Sequence, residues 1–190
     1  LRGLHQQQNS DGVRWTWAAA IVGEALHVHR WYGPASTSMY VHPGEYSTDD
    51  SLLRKTSQVD FVQWGDWTLF NAGRGNIPPQ RYDGAVVAAL PNAPYGVAML
   101  KKQNQLMMIG TGTAQHGVAW SDADDITVWE PTAENLAGAL TIEELRTPIR
   151  GAARLGQNVA VYSEDQMAMV YWVGAPFYYG QRVVLDGIGV

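Results

Sequence analysis

Three histidines offer the most direct route to a metal site. His27 and His29 stand two apart in an alternating run, so a strand presents both on one face, and His42 could supply a third ligand. No carboxylate stands at a matching spacing, and a polar strand face carrying ordinary histidines accounts for the same residues. Asp122, Asp124 and Asp125 suggest calcium at first sight. A helix–loop–helix calcium loop counted from Asp122 needs Gly at its sixth position and Glu at its twelfth, where this chain has Thr127 and Ala133. Aspartates that cap the amides of a β-turn are the better account of this acidic loop.

Hydrolysis of a glycosidic bond needs two carboxylates across one pocket. Glu45, Asp60, Asp66, Glu130, Glu164 and Asp165 are available, but nothing in the sequence singles out a pair. GTGTAQ and GRGNIP are rich in glycine, yet neither opens a helix, so a phosphate cradle is not supported. A GxSxG elbow is absent and there is no cysteine nucleophile. The sequence therefore assigns no catalytic, cofactor-binding or metal-binding residue, and a non-enzymatic chain is expected. Trp15/Trp17 and Trp64/Trp67 could form platforms on which sugars stack, although packing between sheets and at subunit interfaces is the better account of tryptophan and tyrosine here.

The elements that would position these residues are short strands. From Gln103 to Pro131 the sequence reads as a polar turn at Gln103–Asn104, a strand over 106–109 and a Gly/Thr-rich connection. A strand over 118–120, the acidic loop and a third strand over 126–129 complete this unit. Similar units precede and follow it. Residues 1–12 are polar and end in an Asp–Gly turn signal, with strands expected over 13–22, 26–29 and 39–41. Pro43–Gly44 ends the last of these, and 47–55 is a polar connection. Strands follow at 59–64, 67–70, 85–90 and 97–100, and Pro78–Pro79 excludes a central strand position between them. After Pro131, residues 132–148 read as an insertion between blades holding the only helical turn, around 142–146. Strands at 149–155, 159–162, 167–173 and 182–185 close the chain.

Tight turns at Gly23–Glu24, Gly65–Asp66, Gln103–Asn104 and Gln157–Asn158 lie 42, 38 and 54 residues apart, the last gap lengthened by the insertion. Several strands per period of about 40–50 residues is the spacing of propeller blades. The expected fold is all-β, a β-propeller-like array of short antiparallel sheets, with a β-sandwich as the alternative.

Composition agrees. Aromatic residues make up 11% and charged residues only 16% of the chain, which favours layered strands over disorder. Twenty Gly and nine Pro, scattered along the chain, punctuate many turns. A net charge of −5 without a Lys/Arg stripe argues against a DNA-binding module, while a surface that DNA passes without sticking stays compatible. The absence of cysteine excludes disulfides and thiolate metal sites within these residues. No apolar run approaches the roughly 20 residues of a membrane helix, so no membrane partner is expected. Leu1 is not an initiator methionine and 187–190 reads as the start of another strand, so the 190 residues are expected to be one propeller-type segment of a longer, cytosol-assembled polypeptide.

PYGVAMLKKQNQLMMIG, HGVAWSD, ITVWEPT and RLGQNVAVYSEDQMAMVYWVG follow one another in an order that resembles a known layout. It is similar to the β-propeller structural proteins of short-tailed bacteriophages, the tail hub, nozzle or stabilisation proteins. Trp120–Ser121–Asp122, Trp129, the hairpin pair over 151–173 and Gly187–Ile188–Gly189 are the matching places. The resemblance covers residues 85–190 well and 12–84 only in style. It implies a virion component at the tail or head–tail junction, assembled in the host bacterial cytoplasm. Its implied partners are other copies of itself in a ring, portal, adaptor or other tail proteins, and passing double-stranded DNA held without sequence specificity. It implies no catalytic residues and no cofactor. A carbohydrate- or receptor-binding propeller module and a propeller glycosidase are the alternatives.

Overall fold

The computed structural model describes residues 3–8, 14–22, 25–32, 35–42, 59–72 and 78–187. The turns expected at Asp11–Gly12, Gly23–Glu24 and Pro43–Gly44, the 47–55 connection, Glu45, all of GRGNIP but Pro78, and 188–190 lie outside these residues. The fold is all-β, four separate short antiparallel sheets compatible with a propeller-like or a sandwich array, with no helix among the described residues. No helix there is long and apolar enough to cross a membrane.

Each sheet is a meander of four consecutive strands. The first contains β1 (Gly3–Gln8), β2 (Arg14–Val22), β3 (Ala25–Tyr32) and β4 (Ala35–His42), and the second β5 (Asp60–Trp64), β6 (Trp67–Asn71), β7 (Gln80–Tyr82) and β8 (Val87–Ala89). The third contains β9 (Ala98–Lys102), β10 (Gln105–Thr111), β11 (Gly117–Trp120) and β12 (Gly138–Thr141). The fourth contains β13 (Gly151–Leu155), β14 (Asn158–Tyr162), β15 (Gln166–Gly174) and β16 (Tyr178–Asp186). The chain divides into two compact units, Leu1–Leu90 with the first two sheets and Pro91–Val190 with the last two. Within each unit the sheets approach most closely through their first strands, β1 to β5 and β9 to β13.

The turns repeat at the same place in three sheets. Between first and second strands the leading turn residue has a left-handed φ in each case: Gly65 at 55°, Gln103 at 54° and Gly156 at 60°. The fourth-sheet turn is therefore Gly156–Gln157, and Asn158 already belongs to β14. Gly23–Glu24 falls one hairpin later, between β2 and β3, so the interval of 42 residues joined positions that are not equivalent.

Other corrections concern strands. β1 arises from GLHQQQ, a stretch too polar to announce itself, which pairs fully with β2. Residues 126–129 form no strand; Ile126 and Trp129 are buried within the 121–137 loop instead. The fourth strand of that sheet is Gly138–Thr141, which pairs with β11 from inside the expected insertion. At 142–146 there is a single turn, closed by the Leu145 amide on the Ile142 carbonyl at 3.2 Å, and no helix.

The two cores differ in make-up. In the first unit Trp17, Ala19, Val28, Val59, Phe70, Ala72 and Tyr82 are buried together, with Trp15, Phe61 and Val87 against them. In the second, alternate residues of β10 and β11 (Met107, Ile109, Val118, Trp120) meet Val159, Val161, Ala168, Val170 and Tyr179 from the fourth sheet. Leu106 and Met108, on the other face of β10, are also fully buried. A strand covered on both faces explains the unbroken apolar run LMMI.

Candidate functional site

Period-two alternation sends Val118 and Trp120 into the second unit's core and leaves Ala119 on the opposite face, where it pairs with Ala139 of β12. Two small side chains side by side make a shallow floor. Over it stand residues 92–94 on one side and 127–131 on the other, and the Asn92 side-chain amide donates to the Thr127 carbonyl at 3.0 Å, holding the two loops together. The result is a cleft of about 710 Å³, within the range of small-ligand sites. Pro94, Val128, Trp129 and Pro131 provide its apolar walls, and Glu130 is its single ionisable side chain.

The wall holds its place because the acidic loop is tied down from inside. Asp122 accepts from the Ala123 amide at 2.8 Å and the Leu136 amide at 2.7 Å, closing both ends of the loop. Asp125 accepts from the Thr127 amide and hydroxyl, and these two hydrogen bonds hold its carboxyl below the usual carboxylate range. Asp124 accepts from the Asn104 side chain at 3.1 Å. The Trp129 indole N–H is spent on the Ile126 carbonyl at 2.7 Å. Asp122 and Asp125 thus cap backbone amides, as expected of aspartates in a turn, while Asp124 is held by a side chain from the Gln103–Asn104 turn.

Behind the loop lies a buried polar connection that links the third and fourth sheets. Gln105 donates to the carbonyls of Ser121 (2.9 Å) and Leu136 (3.2 Å) and accepts from the Tyr179 hydroxyl at 2.8 Å. Trp120 donates to the same Leu136 carbonyl at 2.8 Å and packs edge-on to Tyr179. Burial pushes the Tyr179 phenol up to about 12. Lys102, only 4% exposed, places its Nζ 4.5 Å from the centre of the Tyr179 ring. Burial, with the Arg154 charge adding to it, holds this ammonium below the usual lysine range.

The remaining candidates are scattered. The rings of His27 and His29 stack at 6.1 Å, and His29 leans on Trp31 at 5.7 Å, forming one ladder along β3. The His42 backbone pairs with Leu26, and its side chain lies outside the described residues. Among the described residues no three His, Cys, Asp or Glu side chains gather as a ligand set. Trp17 is buried in the core, while Trp15 is half-buried with the Arg30 guanidinium 4.2 Å from its ring centre. Trp64 and Trp67 face each other across the Gly65–Asp66 turn, and Arg81 covers Trp67 at 4.7 Å. Asp60 opens β5 and Asp66 sits in that turn. Glu164 pairs with Arg150, and Asp165 pairs with Arg146, which also reaches Asp186. Desolvation raises the Asp165 carboxyl, but the Thr147 hydroxyl and Arg146 outweigh it and hold the group below its usual range.

Sequence reasoning missed Lys102, Gln105 and Tyr179. Gln105 and Tyr179 lie 74 residues apart, and no local pattern marks their meeting. A glutamine and a lysine flanking an otherwise apolar strand pair were the only local signal. No protein-family model matches the chain, and no curated protein is detectably similar to it.

Proposed function

We propose that the chain is a structural module of a bacteriophage virion, a subunit of the tail hub, nozzle or head–tail connector that forms part of the DNA ejection conduit. The observation that carries this reading is the run of four successive four-stranded meanders, the strand count and order of propeller blades. Its role is mechanical: short sheets braced by turn-capping side chains make a stiff platform, and copies of it close into a symmetric ring with portal, adaptor or other tail proteins. The uncharged tip of the β15–β16 hairpin suits contact between copies, with Trp172 and Val173 about half exposed and Phe177 75% exposed. The net charge of −5 suits a wall past which DNA slides, since a basic lumen would hold the duplex by counterion release.

The alternatives draw less support. A sugar-binding platform needs an open aromatic face, and guanidinium groups lie over Trp15 and Trp67. A glycosidase needs two carboxylates across one pocket, and Glu130 is the single carboxylate lining the cleft. Immunogold labelling tests the reading directly. An antibody raised against the chain should mark one end of the tail in purified tailed particles from the host that produces it. Particles without label, from cells that contain the protein, would overturn it.

A further inference from the structure

We propose that the cleft over Ala119 and Ala139 is a docking site for an arginine or lysine side chain presented by a partner polypeptide. Four observations meet there. The cleft is preformed, because the Asn92–Thr127 hydrogen bond and the aspartate-capped loop fix both walls before anything binds. Its volume of about 710 Å³ exceeds one side chain and accommodates a short stretch of extended chain. Its walls are proline, valine and tryptophan carbon, which suits the methylene stem of a long cationic side chain. Its one ionisable lining residue is the Glu130 carboxylate, exposed at the rim and without an ion-pair or hydrogen-bond partner among the described residues.

Charge complementarity selects the cation. No basic side chain lines the cleft, so a bound anion would meet only Glu130 and no compensating charge. A neutral apolar ligand would use the walls but leave Glu130 facing it. A sugar finds few free donors, because one Asn92 amide N–H is spent on Thr127, the Thr127 hydroxyl on Asp125 and the Trp129 N–H on Ile126. A stem that lies on Trp129 and the prolines, with its charged head at Glu130, satisfies both parts of the lining. The inference goes beyond the virion reading and does not depend on it, since a chain that never enters a particle would still carry the cleft.

The test is an NMR titration of the labelled chain with the tripeptide acetyl-Ala-Arg-Ala-amide. The Trp129 indole N–H and the Ala119 and Ala139 methyl groups report on occupancy. The arginine peptide should shift all three and bind at least about three-fold more tightly than its uncharged citrulline counterpart, the scale of one rim ion pair. Glu130→Gln, at an exposed position, should erase that preference, and raised salt should weaken the arginine peptide alone. Ala139→Leu, which fills the floor from an exposed site, should abolish binding of both peptides. Equal binding of the two peptides, or an unchanged preference in Glu130→Gln, would overturn the proposal. Tighter binding of spermidine than of the peptide, or saturable sugar binding at the same three reporters, would do so as well.

Discussion

In the first unit a guanidinium lies among three aromatic rings; in the second an ammonium lies over one. Arg30 is within 4.2 Å of the Trp15 ring centre, 5.0 Å of Tyr82 and 5.8 Å of Trp17, and it donates to the Tyr82 hydroxyl at 2.8 Å. Lys102 has the Tyr179 face at 4.5 Å and the like charge of Arg154 nearby. A flat, weakly hydrated guanidinium can be sandwiched by rings and still direct its donors, whereas a compact ammonium loses hydration it cannot replace from one face. The Tyr hydroxyls differ accordingly. Tyr82 takes a hydrogen bond from the cation, while Tyr179 points away from it to Gln105. The half-buried Arg30 is a fastener, and the buried Lys102 is a burden carried beside a fastener made of neutral groups.

That contrast sets the order of expected effects. Arg30→Ala removes the stacked plane and the Tyr82 donor together and should cost about 2–4 kcal/mol in urea unfolding of the first unit. A loss below about 0.5 kcal/mol would make Arg30 a surface group. Tyr179→Phe leaves the Gln105 acceptor unpaired and should cost about 1–2 kcal/mol. It also carries a pH signature. The folded state keeps the phenol proton up to about 12 while the unfolded chain releases it near 10, so the Tyr179 contribution to stability is constant below 10 and falls as pH rises through that window. The phenylalanine variant should lack this alkaline fall.

Lys102→Met should raise stability by about 1 kcal/mol at neutral pH, because it removes a desolvated charge and keeps the stem. The sign follows from the lowered folded-state value: the unfolded chain holds this proton more tightly, so the wild type gains stability as pH rises toward the ordinary lysine range. Destabilisation by this variant would mean the ring contact outweighs desolvation. The smallest effect belongs to a turn. Gln103 occupies the left-handed position that Gly65 and Gly156 fill in the other sheets, and Gln103→Gly should add about 0.5–1 kcal/mol, read as a higher Tm.

The same two regions show what the sequence can reveal. The strands of both units were legible where apolar residues alternate between Gly, Asp or Asn turns, as at Gly65–Asp66 and Gln103–Asn104. β1 escaped notice because GLHQQQ lacks apolar alternation and is held by its ladder with β2 and by contact with β5, where His5 stacks on Phe61. Residues 126–129 misled in the other direction: Ile126 and Trp129 are apolar because they plug a loop, while the real strand, GALT, is short and small-sided. The turn-capping role of the aspartates was legible, since Asx bonds are made within a few residues. The Gln105–Tyr179 bond, the Arg30 sandwich and the cleft were not, because each joins residues from separate strands or loops.

The central claim is assembly, and the absolute mass of the chain by light scattering on a sizing column tests it most directly. The account predicts a discrete ring, formed alone or on adding portal or adaptor protein, that is lost in a Trp172→Ser, Phe177→Ser double variant which still folds. A wild-type chain that stays monomeric with every virion component would contradict it.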